Sequence, residues 1–189
     1  FSNSDKKDTW IKLLIQLIEE SKFQVGNLIE QRSNLYKDKN LFQIIVDQKL
    51  VQVSYKETWE IIQKIAKSLA KITENHSNPV IGIFTSNSLF GALLDLACLS
   101  FNFCVVPIPV MISKTDLNYI LNHAGITHLF IEKAELIDLF SHYLNKNKNV
   151  YVSQLPNKKF ADSLLNIWEE FLSIGIDVPQ KCLTERANK

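Results

Sequence analysis

Apolar residues recur along this chain with two periods, one helical and one strand-like, and the alternation divides it into elements. Residues 5–20 place Trp10, Leu13, Leu14, Leu17 and Ile18 at the i, i+3, i+4, i+7, i+8 spacing of one helical face, with Ser4 or Asp5 positioned as the cap. This predicts a helix docked on a core, because its other face is mixed in sign, unlike that of a membrane-surface helix. A shorter helix is expected over 25–34, with Leu28, Ile29 and Arg32 along it. The Ile- and Val-rich runs 41–47 and 51–54, joined through Asp47-Gln48-Lys49, read as a β-hairpin whose turn lacks the usual Gly. Ser54-Tyr55-Lys56-Glu57 has the spacing of a capping box and opens a long helix over 55–73, with Trp59, Ile62, Ala66, Leu69 and Ala70 on its apolar face.

Beyond a loop at 75–79, the pattern shortens and repeats. Strands are predicted at 80–84, 103–108, 127–131 and 149–152, and helices at 89–101, from Ser113 to a stop near Gly125, at 134–144 and at 161–173. The segment 175–189 has little periodicity. Short apolar strands alternating with helices imply parallel strands and right-handed crossovers. The predicted fold class is α/β, a doubly wound, mostly parallel sheet with flanking helices and an N-terminal β-hairpin. Three segments are expected: an N-terminal helical extension over 1–24, an α/β unit over 25–153, and a C-terminal helix and tail over 154–189.

Composition narrows the function. The 189 residues include 21 Lys+Arg against 20 Asp+Glu, a formal net charge of +1 that argues against a nucleic-acid footprint. With 46% apolar residues the chain is expected to be globular. Cys98, Cys104 and Cys182 are odd in number and the first two sit in apolar runs, so reduced, buried thiols in a cytoplasmic protein are expected, without a zinc site. The most apolar stretch, 89–112, contains Asp95, Ser100, Asn102, Pro107 and Pro109, which suits a buried helix and strand and not a membrane span. The chain opens on Phe1 without a signal-peptide pattern, so it reads as a processed or excised piece.

Candidate chemistry is sparse. There is no G-x-G-x-x-G, no G-x-x-x-x-G-K-[ST] and no G-x-S-x-G. His123 and His128 lie five apart across a helix end and a strand start, a spacing that suits structural or solvated roles. Asp95, inside a buried-looking helix, needs a hydrogen bond to a neighbouring loop or a path to solvent. Thr85-Ser86-Asn87-Ser88 follows the first parallel strand, where ligands bind open α/β sheets; it reads as a capped turn, and secondarily as an anion site.

The order of these segments resembles the N-terminal part of adenylate-forming enzymes: acyl-CoA synthetases, adenylation domains of peptide synthetases and luciferases. Val53-Ser54-Tyr55-Lys56-Glu57-Thr58, with a helix ending Ala66-Lys67-Ser68-Leu69-Ala70, is similar to the family's first core motif. Val80-Ile81-Gly82-Ile83 and Asn87-Ser88 resemble its next strand and turn. The run from Asp95-Leu96-Ala97-Cys98-Leu99 to Val106-Pro107-Ile108 resembles its second motif, 117–125 and 127–131 its following helix and strand, and Asn27-Leu28-Ile29-Glu30-Gln31-Arg32 its opening helix. The sequence departs from the pattern at Asn102, where the family has Gly, and at Pro109-Val110, where it often has Asp-Pro.

The resemblance implies a parent ligase that uses ATP and Mg²⁺ to activate a carboxylic acid as acyl-adenylate, then transfers it to a thiol such as coenzyme A. Fatty acids are expected ahead of amino acids. The family's phosphate loop, its aromatic-Thr-Glu motif, its ribose-binding Asp and its C-terminal lysine have no counterpart in this chain, Thr184-Glu185 included. No catalytic, cofactor-binding or metal residue is therefore assigned, and the chain is expected to be inactive without the remainder of the enzyme. The alternatives are a stand-alone, non-catalytic module of the same scaffold acting through protein partners, and an unrelated flavodoxin-like or receiver-like domain.

Overall fold

Both predicted periods are realised in the computed structural model, which describes residues 3–21, 24–46, 48–132, 134–146, 151–154 and 170–188. The order is α1 (Asn3–Ser21), α2 (Val25–Tyr36), β1 (Asn40–Val46), β2 (Lys49–Ser54), α3 (Tyr55–Ile72), β3 (Val80–Phe84), α4 (Leu89–Ser100), β4 (Cys104–Ile108), α5 (Lys114–Ala124) and β5 (His128–Ile131). A 3₁₀ segment (Ala134–Phe140), α6 (Ser141–Lys146), β6 (Tyr151–Gln154) and α7 (Gln180–Ala187) follow.

β1 and β2 form the antiparallel hairpin, and Gln48 takes the left-handed backbone, φ 65°, that the missing Gly would have supplied. β4, β3, β5 and β6 form a parallel sheet in that order. Strand alternation sends Ile81, Ile83 and Phe130 to one face, where they meet α3 and α4 residues such as Ile62, Leu69 and Leu94. Phe84, Leu129 and Ile131 go to the other, against Leu117 and Leu121 of α5 and Tyr143 of α6. Helices therefore cover both faces, the doubly wound arrangement. Gly82 stands where the second face is tightest: a Cβ there would lie 2.8 Å from Ile126 Cδ1.

The capping box is formed. Glu57 N–H donates to Ser54 Oγ at 3.2 Å, and Ser54 N–H donates to Glu57 Oε2 at 2.8 Å. The end of α4 resolves the Asn102 departure. Asn102 adopts φ 53°, and Phe103 N–H donates to Cys98 O at 2.9 Å, so the left-handed helix end is kept with Asn in place of Gly.

Several expectations are corrected. Helix α1 forms, but its apolar face does not dock: Trp10, Leu13, Leu14 and Leu17 are 45–69% exposed, because α3 to α6 already cover both sheet faces. Cys98 is buried, but Cys104, on the outer strand β4, and Cys182, on α7, are exposed thiols. The helix expected over 134–144 divides into a 3₁₀ segment and a short α-helix, which brings Phe140 edge-on to Phe84 and lets Tyr143 Oη donate to Ile126 O at 2.8 Å. The tail is not featureless. Pro179 precedes α7, whose one buried residue, Leu183, joins the α3–α4 core, and Arg186 lies 3.7 Å over the Phe103 ring. Of the expected helix 161–173, residues 170–173 are described and are helical; the rest, and 149–150 of the last strand, lie outside the described residues.

Candidate functional site at the sheet crevice

The connection after β3 leads to α4 on one face, while that after β5 leads toward α6 on the other. A crevice therefore opens between the carboxyl ends of these adjacent strands, the place where open α/β sheets take their ligands. A groove of about 670 Å³ lies there. Phe42, Ile44 and Ile45 of the hairpin form one wall, Leu89, Phe90 and Asp95 of α4 another, and the 85–88 turn and Glu132 the floor.

The turn is built as predicted for a capped strand-to-helix junction. Ser88 Oγ accepts from Gly91 N–H at 3.1 Å and lies 3.1 Å from Thr85 Oγ1. Its Ser86 donors, however, are committed within the chain. Ser86 gives its N–H and its hydroxyl to Glu132 Oε2, at 2.9 and 2.7 Å. A carboxylate thus sits where the secondary reading expected a bound anion. Glu132 was missed by sequence reasoning: it belongs beside Ser86 only because β5 pairs with β3, a neighbourhood that local periodicity does not encode.

Asp95 takes the path to solvent. It is half-buried on the groove wall, and burial raises its carboxyl above the usual range. Among the described residues, the charged side chains lining the groove are Asp95 and Glu132. Its walls are otherwise largely apolar, so it suits an apolar chain or segment.

The histidines lie elsewhere. His123 is exposed at the end of α5 and stacks on Tyr119. His128 is buried, with Nδ1 2.8 Å from Thr127 Oγ1 and Nε2 3.2 Å from Ile72 O, and its ring meets that of His76 edge-on at 4.8 Å. Both play the structural or solvated roles expected. Burial, with a smaller contribution from His76, lowers the His128 pKa from 6.5 against the opposing Ile72 hydrogen bond.

A family model described as AMP-binding enzyme matches residues 29–171, well over half of the chain. The chain belongs to the AMP-binding enzyme family. No curated protein matches it. Solved structures share the fold of this family member. A long-chain-fatty-acid CoA ligase from Rhodopseudomonas palustris has a TM-score of 0.62 at 16% identity, over 83% of this chain and 37% of that one. A fatty acyl CoA synthetase from Mycobacterium tuberculosis has a TM-score of 0.62 at 17% identity, over 83% and 30%. The Klebsiella oxytoca NpsA N-terminal subdomain in complex with 3-hydroxyanthranilyl-AMSN has a TM-score of 0.52 at 15% identity, over 82% and 32%. The chain thus spans about a third of the length of each of these structures. Among the described residues, no helix of this AMP-binding chain is long and apolar enough to cross a membrane.

Proposed function

We propose that this chain is the N-terminal subdomain of a cytoplasmic acyl-CoA synthetase-like ligase, which activates a carboxylic acid as its adenylate and passes the acyl group to a thiol. The observation that carries this reading is the AMP-binding match over residues 29–171. A fatty acid is the preferred substrate class, supported by the likeness to the Rhodopseudomonas long-chain-fatty-acid CoA ligase and the Mycobacterium fatty acyl CoA synthetase and by the apolar walls of the groove.

The subdomain does not turn over alone. ATP, Mg²⁺ and coenzyme A engage residues supplied by the remainder of the enzyme: the charged residues described in the groove are both carboxylates, and the Ser86 donors already serve Glu132. The open apolar wall of Phe42, Ile44, Leu89 and Phe90 favours this reading over a stand-alone module, which would have covered such a surface.

ATP–pyrophosphate exchange on the full-length gene product, with fatty, aryl and amino acids as substrates, tests it. Exchange driven by fatty acids, and absent from residues 1–189 alone, is expected. Exchange with amino acids only would overturn the substrate class. A gene product that ends at Lys189 and supports no exchange would overturn the ligase reading in favour of the partner-binding module.

A further inference from the structure

Helix α1 precedes the family match, so its apolar face is not explained by the AMP-binding scaffold. Trp10, Leu13, Leu14 and Leu17 lie within an arc of roughly 100° at 3.6 residues per turn. Ile11 and Ile15, also exposed, widen the stripe on one side. Polar residues Asp8, Lys12 and Gln16 occupy the far side.

The charges at the two ends of the stripe differ in sign. Lys6 and Lys7 continue it toward the N-terminus, while Glu20 borders its C-terminal end with Glu19 behind. The midpoint between Lys6 and Glu20 is Leu13, and the midpoint between Trp10 and Leu17 falls between Leu13 and Leu14. One two-fold axis at Leu13–Leu14 therefore satisfies both: it sets Trp10 beside Leu17 of a second copy and Lys6 and Lys7 beside the second copy's Glu20. A parallel pairing would set like charges together at both ends.

We propose that α1 is a self-association element through which two copies of this chain pair antiparallel across Trp10, Leu13, Leu14 and Leu17. The apolar stripe supplies the attraction, and the end charges select the orientation. Trp10, Leu13, Leu14 and Leu17 are 45–69% exposed on each copy, and covering them on both removes on the order of 1,000 Å², the lower end for a specific contact. The dimer is accordingly weak and depends on concentration. A lipid surface is disfavoured by the mixed signs on the helix.

Sedimentation velocity on this chain across the micromolar range tests the proposal. The average mass is expected to rise toward twice the monomer. Leu14→Glu should weaken association at least tenfold. Lys6→Glu/Lys7→Glu should weaken it several-fold, and adding Glu19→Lys/Glu20→Lys should restore it. Circular dichroism confirms that each variant keeps its helices, and the restored quadruple variant guards against simple misfolding. A monomer at every concentration would overturn the proposal, as would a dimer indifferent to Leu14→Glu or to the double charge reversal. A monomer that binds neutral phosphatidylcholine vesicles through α1 would assign the face to lipid instead, and a monomer whose Trp10 fluorescence is shielded from quencher would assign it to the same chain.

Discussion

Glu132 at the end of β5 accepts both the N–H and the hydroxyl of Ser86, which follows β3, and so ties together the two loops that diverge to opposite faces of the sheet. The clasp uses a charged acceptor, and hydrogen bonds to charged groups contribute more than neutral ones. Glu132→Ala should lower stability by about 1–3 kcal/mol, with Glu132→Gln costing less because its amide oxygen can still accept. Denaturant unfolding of the two variants checks the order. Equal stability of all three proteins would mean that the clasp contributes nothing.

Asn102 holds a left-handed conformation that Gly adopts without steric cost. Asn102→Gly should leave stability unchanged or raise it slightly, whereas Asn102→Val should cost about 1–2 kcal/mol. Thermal melting of the pair measures this, and tolerance of Val would show that the end of α4 relaxes into another geometry.

The backbone hydrogen bond from Ser54, followed by its hydroxyl, holds the Glu57 carboxyl below its ordinary 4.5. A depressed carboxylate stabilises the fold fully above its unfolded pKa and ceases to do so as pH falls through the lower folded value. Ser54→Ala should therefore cost about 1 kcal/mol at neutral pH, and the gap from the parent should narrow as pH drops well below 4.5. Melting temperatures of both proteins at pH 7 and pH 3 measure it, and a gap independent of pH would mean that the Ser54 hydroxyl does not act through the Glu57 carboxylate.

The buried His128 is depressed from 6.5 and, being a base, favours folding in its neutral form. The unfolded chain binds the proton more readily, so stability is fully present above pH 6.5 and declines as pH falls through the lower folded value. His76, edge-on to His128, is the titratable neighbour in the same contact. The wild type should lose melting temperature between pH 6.5 and pH 5, and His128→Gln should be less stable at pH 7 but flatter across that window. An equal slope in both proteins would place the sensitivity elsewhere.

Much of the fold was legible because its cues are local. Ser54, Ser113 and Gly125 mark helix ends through their own side chain or backbone freedom, and they do so in the structure as read. Burial was less legible, since an apolar stripe states what a helix can cover and not whether a surface is left for it, as α1 shows. Helix α7 was missed because only Leu183 is buried along it, too little to create a period. The site was half legible. Residues 85–88 follow from their place after β3, but Glu132 depends on β5 being inserted beside β3 instead of following β4, and strand order is a long-range property.

One helix holds a central position in the molecule. α3 is flanked by α2, α4, the hairpin and α7, and Ile62, Ile65, Ala66 and Leu69 along it have no solvent contact. The chain also returns to it from far downstream: Ser68 Oγ donates to Leu172 O at 3.3 Å, and a Cβ on Gly175 would lie 2.3 Å from Ser68 N. Segments remote in sequence must therefore part before its inner amides meet deuterium, so those amide protons time the global opening of the fold, while those of α1 report only fraying.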